Sequence, residues 1–191
     1  MKRTVFLLIL GIIFMVFSTG CNNGVTSQDR TVEGFHNIVL QGAGNVNIHP
    51  GENYKVIVTT DNNLQDRVVT TVNGNTLLIT QRSGSSFNAK ELTIDVYMPE
   101  LKSISLNGAG NIKINTGNAS ELDFSLSGAG NIDAQNFEVQ NLTIKHSGVG
   151  NAKVWATNSL NGTLSGIGNI FYKGNPTLNV NKTGIGNINR L

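Results

Sequence analysis

The sequence predicts an all-β chain, a stack of parallel coils of about 18–20 residues following a more irregular β region. Three observations carry this expectation. Gly-x-Gly-Asn recurs six times, starting at Gly42, Gly108, Gly128, Gly148, Gly166 and Gly184, and the last five copies lie 20, 20, 18 and 18 residues apart. Such a period belongs to solenoids, in which one coil cannot bury its apolar face alone. Short runs then alternate apolar and polar residues, and no segment after the first 21 residues sustains an i, i+3, i+4, i+7 stripe. Finally, 22 glycines and a charged fraction of only 14% suit a turn-rich β protein.

Residues 1–20 read as a signal peptide. Lys2 and Arg3 precede an apolar run from Val5 to Phe17, broken only by Gly11 and too short to span a bilayer. Ser18-Thr19-Gly20 leads to Cys21, the single cysteine, so no intramolecular disulfide can form. This junction resembles the lipobox of bacterial lipoproteins, which implies acylation of Cys21 and a membrane anchor. Ser18 stands where a lipobox usually has leucine, and an ordinary secretory site would cut the same bond. Residues 21–30 read as a polar, lipidated tether.

The domain then runs over 31–191, with irregular β structure over 31–100 and regular repeats over 101–191. In the first part, Lys55-Val56-Ile57-Val58, Leu77-Leu78-Ile79 and Leu92-Thr93-Ile94-Asp95-Val96 read as strands. Asn73-Gly74 reads as a tight turn or hairpin, and Pro99 ends a strand at Met98. Without the signal, 12 basic residues face 12 acidic ones, which argues against nucleic acid or electrostatic membrane binding.

Aligned on the first glycine, the repeats place Leu106, Leu126, His146, Leu164 and Lys182 on one inward ladder. Ile104, Phe124, Ile144, Gly162 and Val180 form a second, with polar residues between. An outward row collects Lys113, Asp133, Lys153, Phe171 and Asn189. The corners are Gly42, Gly44 and Asn45; Gly108, Gly110 and Asn111; Gly128, Gly130 and Asn131; Gly148, Gly150 and Asn151; Gly166, Gly168 and Asn169; Gly184, Gly186 and Asn187. Glycine permits positive φ and close approach, while Asn tolerates the left-handed region and can form amide ladders. The residue between the glycines is always apolar, and the sequence leaves its direction open.

The Gly-Ala-Gly-Asn-Ile repeats, with Val96-Tyr97-Met98-Pro99-Glu100-Leu101 before them, resemble the auto-transporter adhesin head domain, or head GIN, family. Phe35-x-x-Ile38-x-Leu40-x-Gly42 and Asn75-Thr76-Leu77-Leu78-Ile79 are similar to its opening half. The resemblance spans Val32 to Leu191. It implies a parallel β-helix on an exported, envelope-bound bacterial protein, often a lipoprotein, and brings no catalytic residues.

Sharper chemistry fares poorly against plain structural readings. Gly-x-Gly-Asn lacks the third glycine and following helix of a dinucleotide site, and its neutral Asn and long period do not suit calcium. His36, His49 and His146 show no metal-ligand spacing, so no metal or cofactor is expected. His146 and Lys182 read as tolerated exceptions on a leucine ladder. Asp123 and Asp133 lie at different offsets, without the paired carboxylates of a polysaccharide-active enzyme. The best surface is aromatic: Trp155 and Phe171 outward, with Tyr172 and Phe137 nearby, suited to a cell-surface glycan or a protein. The alternative is that these rings pack under a loop or a neighbouring domain. A homo-oligomer through the coil after Ile188 is a further expectation, since Asn189-Arg190-Leu191 is a meagre cap.

Overall fold

The computed structural model describes residues 24–82 and 88–191. The expected signal segment and Cys21 lie outside the described residues. The described chain is all-β, with one short 3-10 helix at Asn62–Arg67, and its strands join into a single sheet that curls into a nearly closed, barrel-like form. Among the described residues no helix is long and apolar enough to cross a membrane.

The N-terminal strands are β1 (Val25–Arg30), β2 (Asn37–Leu40), β3 (Ala43–Pro50), β4 (Lys55–Asp61), β5 (Val68–Asn73), β6 (Thr76–Gln81) and β7 (Leu92–Met98). The repeats supply β8 (Ser103–Leu106), β9 (Ala109–Ile114), β10 (Gly117–Leu126), β11 (Ala129–His146), β12 (Ala152–Leu164), β13 (Ile170–Lys173), β14 (Thr177–Lys182) and β15 (Ile188–Arg190). Two parallel rows run through them. β3, β9, the first part of β11, the first part of β12, β13 and β15 pair in one row. β2, β8, β10 and the later parts of β11 and β12 lead to β14 in the other. Long strands β11 and β12 therefore belong to both rows.

The register agrees with the alignment of the repeats. Leu126 pairs with Leu106 and His146, and Leu164 with His146 and Lys182. Asp133 lies between Lys113 and Lys153, and Phe171 between Lys153 and Asn189. The inward positions build one core, with Leu106, Leu142, Leu160, Leu164 and Ile170 excluded from solvent. Each such aliphatic side chain is worth roughly 1.5–3 kcal/mol relative to exposure.

The first motif copy, separated from the second by 66 residues, stacks directly beside it: Ala43 pairs with Ala109 and Asn45 with Asn111. The chain between them leaves and returns. β6 joins β2 and β7 joins β3 in parallel, while β4, β5 and β1 close that end with antiparallel pairings. No Gly-x-Gly-Asn copy precedes Gly42, and the Gln81 side chain serves its corner instead. Its amide oxygen accepts from the Ala43 N–H and its amide nitrogen donates to the Ala43 carbonyl, both at 2.7 Å. Two details differ from the sequence reading. Val25–Arg30, expected as tether, is an edge strand on β4, because its backbone finds ladder partners there despite its polar side chains. The hairpin turn is Gly74–Asn75 rather than Asn73–Gly74, with Gly74 at φ 58°, as a two-residue loop opening on glycine requires.

The corner glycines divide the work. The second takes positive φ, 149° at Gly130, and among described residues no Asn does. The first permits contact: a Cβ on Gly128 would overlap the Gly108 carbonyl oxygen, as one on Gly130 would overlap that of Gly110. Asn contributes a ladder instead of a left-handed residue. Asn131 Oδ1 accepts the Asn151 backbone N–H at 2.9 Å, and Asn151 Oδ1 accepts that of Asn169 at 2.9 Å.

Equilibrium denaturation checks both roles. Gly130→Ala is expected to lose at least about 2 kcal/mol, through strain plus overlap, whereas Gly74→Ala, with open space around it, loses about 1 kcal/mol. Asn131→Ala is expected to cost about 1 kcal/mol, the usual worth of a ladder hydrogen bond.

Candidate functional site

The outward face of β12 and β13 holds two of the four expected aromatic rings. Period-two alternation sets Val154 inward and Trp155 outward, then Ile170 inward and Phe171 outward. Both rings are half-buried. Register pairs Phe171 with Lys153 and Trp155 with Lys173, so cation and aromatic alternate at the corners of a four-residue square. Lys173 Nζ lies 3.6 Å from the centroid of the Trp155 ring, a cation–π contact. Glu138 lies beside Trp155 on the preceding strand, as Asp133 does beside Lys153.

The other two rings are elsewhere. Phe137 is 1% exposed and part of the core. The register between β11 and β12 shifts between Ala134 and Glu138, which interrupts the alternation and turns Phe137 inward. Gly117 pairs with it and leaves the room, since a Cβ there would sit 2.9 Å from the Phe137 ring. Tyr172 shares the parity of Ile170 and packs partly buried against the core. The signals were present as Phe137-x-Val139 and Ile170-x-Tyr172, two inward pairs by parity.

Sequence reasoning left one row undirected. The residues between the corner glycines face out, with Val149 54%, Ile167 53% and Ile185 72% exposed, and Ala43, Ala109 and Ala129 continue the line. Bridges join Ala129 to Val149, Val149 to Ile167 and Ile167 to Ile185. The line grows more apolar toward the C-terminal repeats.

A groove of about 750 Å³ lies at Glu100, Lys102, Glu121, Asp123, Asn141 and Thr143. Lys102 pairs with Glu100 at 3.3 Å. Glu121 and Asp123 are exposed, and no described side chain holds either in place.

Two of the three histidines are held by hydrogen bonds. His49 Nε2 is 2.9 Å from Asp95 Oδ1, its Nδ1 is 2.8 Å from Asn115 Nδ2, and its ring stacks on Tyr97. With both nitrogens occupied, it offers no free ligand or base. His146 is wholly buried, and Nε2 donates to the Gly150 carbonyl at 2.7 Å. Lys182, two repeats on, donates likewise to the Gly186 carbonyl at 2.9 Å. Each polar exception on the leucine ladder thus satisfies the second-glycine carbonyl of its own corner. Among the described residues no group of three or more His, Cys, Asp or Glu could hold a metal ion.

A family model described as "Putative auto-transporter adhesin, head GIN domain" matches residues 34–116 and 107–176. No curated protein matches the chain. Among solved structures, one named as a putative adhesin from Bacteroides fragilis is 22% identical, with a TM-score of 0.60 over 89% of this chain and 98% of that one. Another, named as a putative cell adhesion protein from Clostridium sporogenes, is 18% identical, with a TM-score of 0.52 over 87% and 99%. At such identities these two speak for the fold alone.

The placement of the rings is checked by substitution and by quenching. Phe137→Ala is expected to cost about 3–5 kcal/mol and Phe171→Ala under about 1 kcal/mol. Acrylamide should quench the fluorescence of Trp155, the single tryptophan, more strongly in Lys173→Ala, because the lysine covers its face.

Proposed function

The chain belongs to the head GIN domain family of auto-transporter adhesins, and on that premise we propose that it is a non-enzymatic interaction module of the bacterial cell envelope. Its barrel-like sheet is a parallel β-helix, each coil passing once through both rows. The in-register pairing of residues 18 or 20 apart supports this reading. A signal peptide over 1–20 exports the protein and an acylated Cys21 tethers it to the membrane. The open face of β12 and β13 then meets a glycan or protein at the cell surface.

The observation that carries this reading is the Lys153, Trp155, Phe171 and Lys173 square. Aromatic faces left half open on a rigid sheet supply large contact area at little entropic cost, which suits stacking against a sugar ring or a partner surface. Repetition makes the corners scaffold, so specificity falls to outward positions that differ from coil to coil.

An enzyme acting on polysaccharide is the second reading, favoured by Glu121 and Asp123 in the groove. The two carboxylates lack partners that would orient them, whereas glycoside hydrolysis needs a pair held at a defined separation.

Two measurements separate these readings. Envelope material captured by the wild-type domain should be lost from the Trp155→Ala, Phe171→Ala double variant, which keeps the fold. Equal capture by both contradicts the surface assignment. Reducing-sugar release from envelope polysaccharide, abolished in Glu121→Gln or Asp123→Asn, would establish the enzyme instead.

A further inference from the structure

We propose that the face of β12 and β13 takes an acidic polysaccharide, a chain bearing carboxylate or sulfate groups. This rests on the reading of that face as the binding surface and names its ligand class.

Charge along the chain is segregated. All twelve side-chain carboxylates lie at or before Glu138, whereas Lys145, Lys153, Lys173, Lys182 and Arg190 follow it without one acidic residue among them. Before it, Lys55 pairs with Asp29 and Lys102 with Glu100. None of the five later cations forms an ion pair with a described residue. Lys173 rests on Trp155 and Lys182 on a carbonyl, contacts that leave the charge uncompensated. Two of the five, Lys153 and Lys173, stand in the square with the half-buried aromatic rings.

The combination selects the ligand. Phe171, and Trp155 once an anionic substituent draws Lys173 off its ring, stack on the apolar side of a sugar, while the cations at alternate corners meet anionic groups of the same chain. A neutral glycan would use the rings and leave both lysines unanswered. Single-stranded nucleic acid also stacks on aromatics along a cationic groove. Here, however, Glu138 flanks Trp155 and Asp133 flanks Lys153. These carboxylates accept hydrogen bonds from hydroxyls, which a polysaccharide carries on every ring and single-stranded DNA nearly lacks.

The test titrates the 22–191 protein with polygalacturonate, dextran sulfate and neutral dextran, reading Trp155 fluorescence. At least one acidic polymer should give a saturable change that weakens with added salt, while neutral dextran gives none. The carboxylated and sulfated polymers tell the two anion sources apart. Lys153→Gln and Lys173→Gln should each weaken binding by about two- to five-fold, with Lys55→Gln as an equal charge change elsewhere that leaves it intact. Circular dichroism confirms that the variants fold. A response to neutral glycans with no preference for acidic ones overturns this inference and leaves the binding face standing. No response to any glycan, while envelope capture persists, also overturns it. Equal or tighter binding of single-stranded DNA, or a Trp155 change on raising protein concentration alone, assigns the face to nucleic acid or to a second copy and overturns it too.

Discussion

Backbone contact at the Gly-x-Gly-Asn corner is the constraint on which the structure depends. Where the chain turns, the peptide of one repeat rests on the carbonyl of the repeat before it, closely enough that any side chain on either glycine would intrude. That contact fixes the vertical spacing and the register together. Once Gly130 lies over Gly110, Ile132 must lie over Ile112 and Asp133 over Lys113. A slip of one residue would expose every inward side chain of the strand, so corner and core enforce the same alignment. The Asn ladder adds a second check, because each side-chain oxygen must meet the N–H one repeat later.

The two ends of the sheet are treated differently. The N-terminal strands reverse direction, and β1, β4 and β5 close their end with antiparallel pairings. The Gln81 amide completes that closure by standing in for a peptide at the Gly42 corner. Toward the other end, the outward corner residues change from alanine to valine to isoleucine, carboxylates disappear and the open aromatic rings gather. Negative charge and exposed apolar surface are thus divided along the chain.

Much of this was legible because period and parity are both written in the repeats. The ladders of Leu106 and Ile104, the outward row of Lys113 and the end of β7 at Met98 follow from counting residues. Counting failed where a single event breaks the rhythm. The irregularity between Ala134 and Glu138 turned Phe137 inward, and nothing in repeat spacing marks such a shift except the opposing glycine at Gly117. The strand at Val25–Arg30 was hidden because its side chains are polar and its stability comes from backbone pairing with β4. The adjacency of Gly42 and Gly108 was equally hidden, since the excursion between them can be placed only once β6 and β7 are seen beside β2 and β3. On the surface, parity sets Trp155 and Phe171 outward and Tyr172 inward with Ile170, a distinction that proximity in sequence alone hides.

Removing one whole repeat asks whether register contact alone holds the sheet together. Deletion of residues 129–148 joins Gly128 to Val149 and restores a Gly-x-Gly-Asn corner, so that β12 can take the place of β11 against β9 and β10. If repeats are held by contact with their neighbours in register, the shortened protein should keep its β circular dichroism and unfold cooperatively, with reduced stability. An unfolded or aggregated product would show that the sheet depends on closure around β11 instead, and would contradict the account.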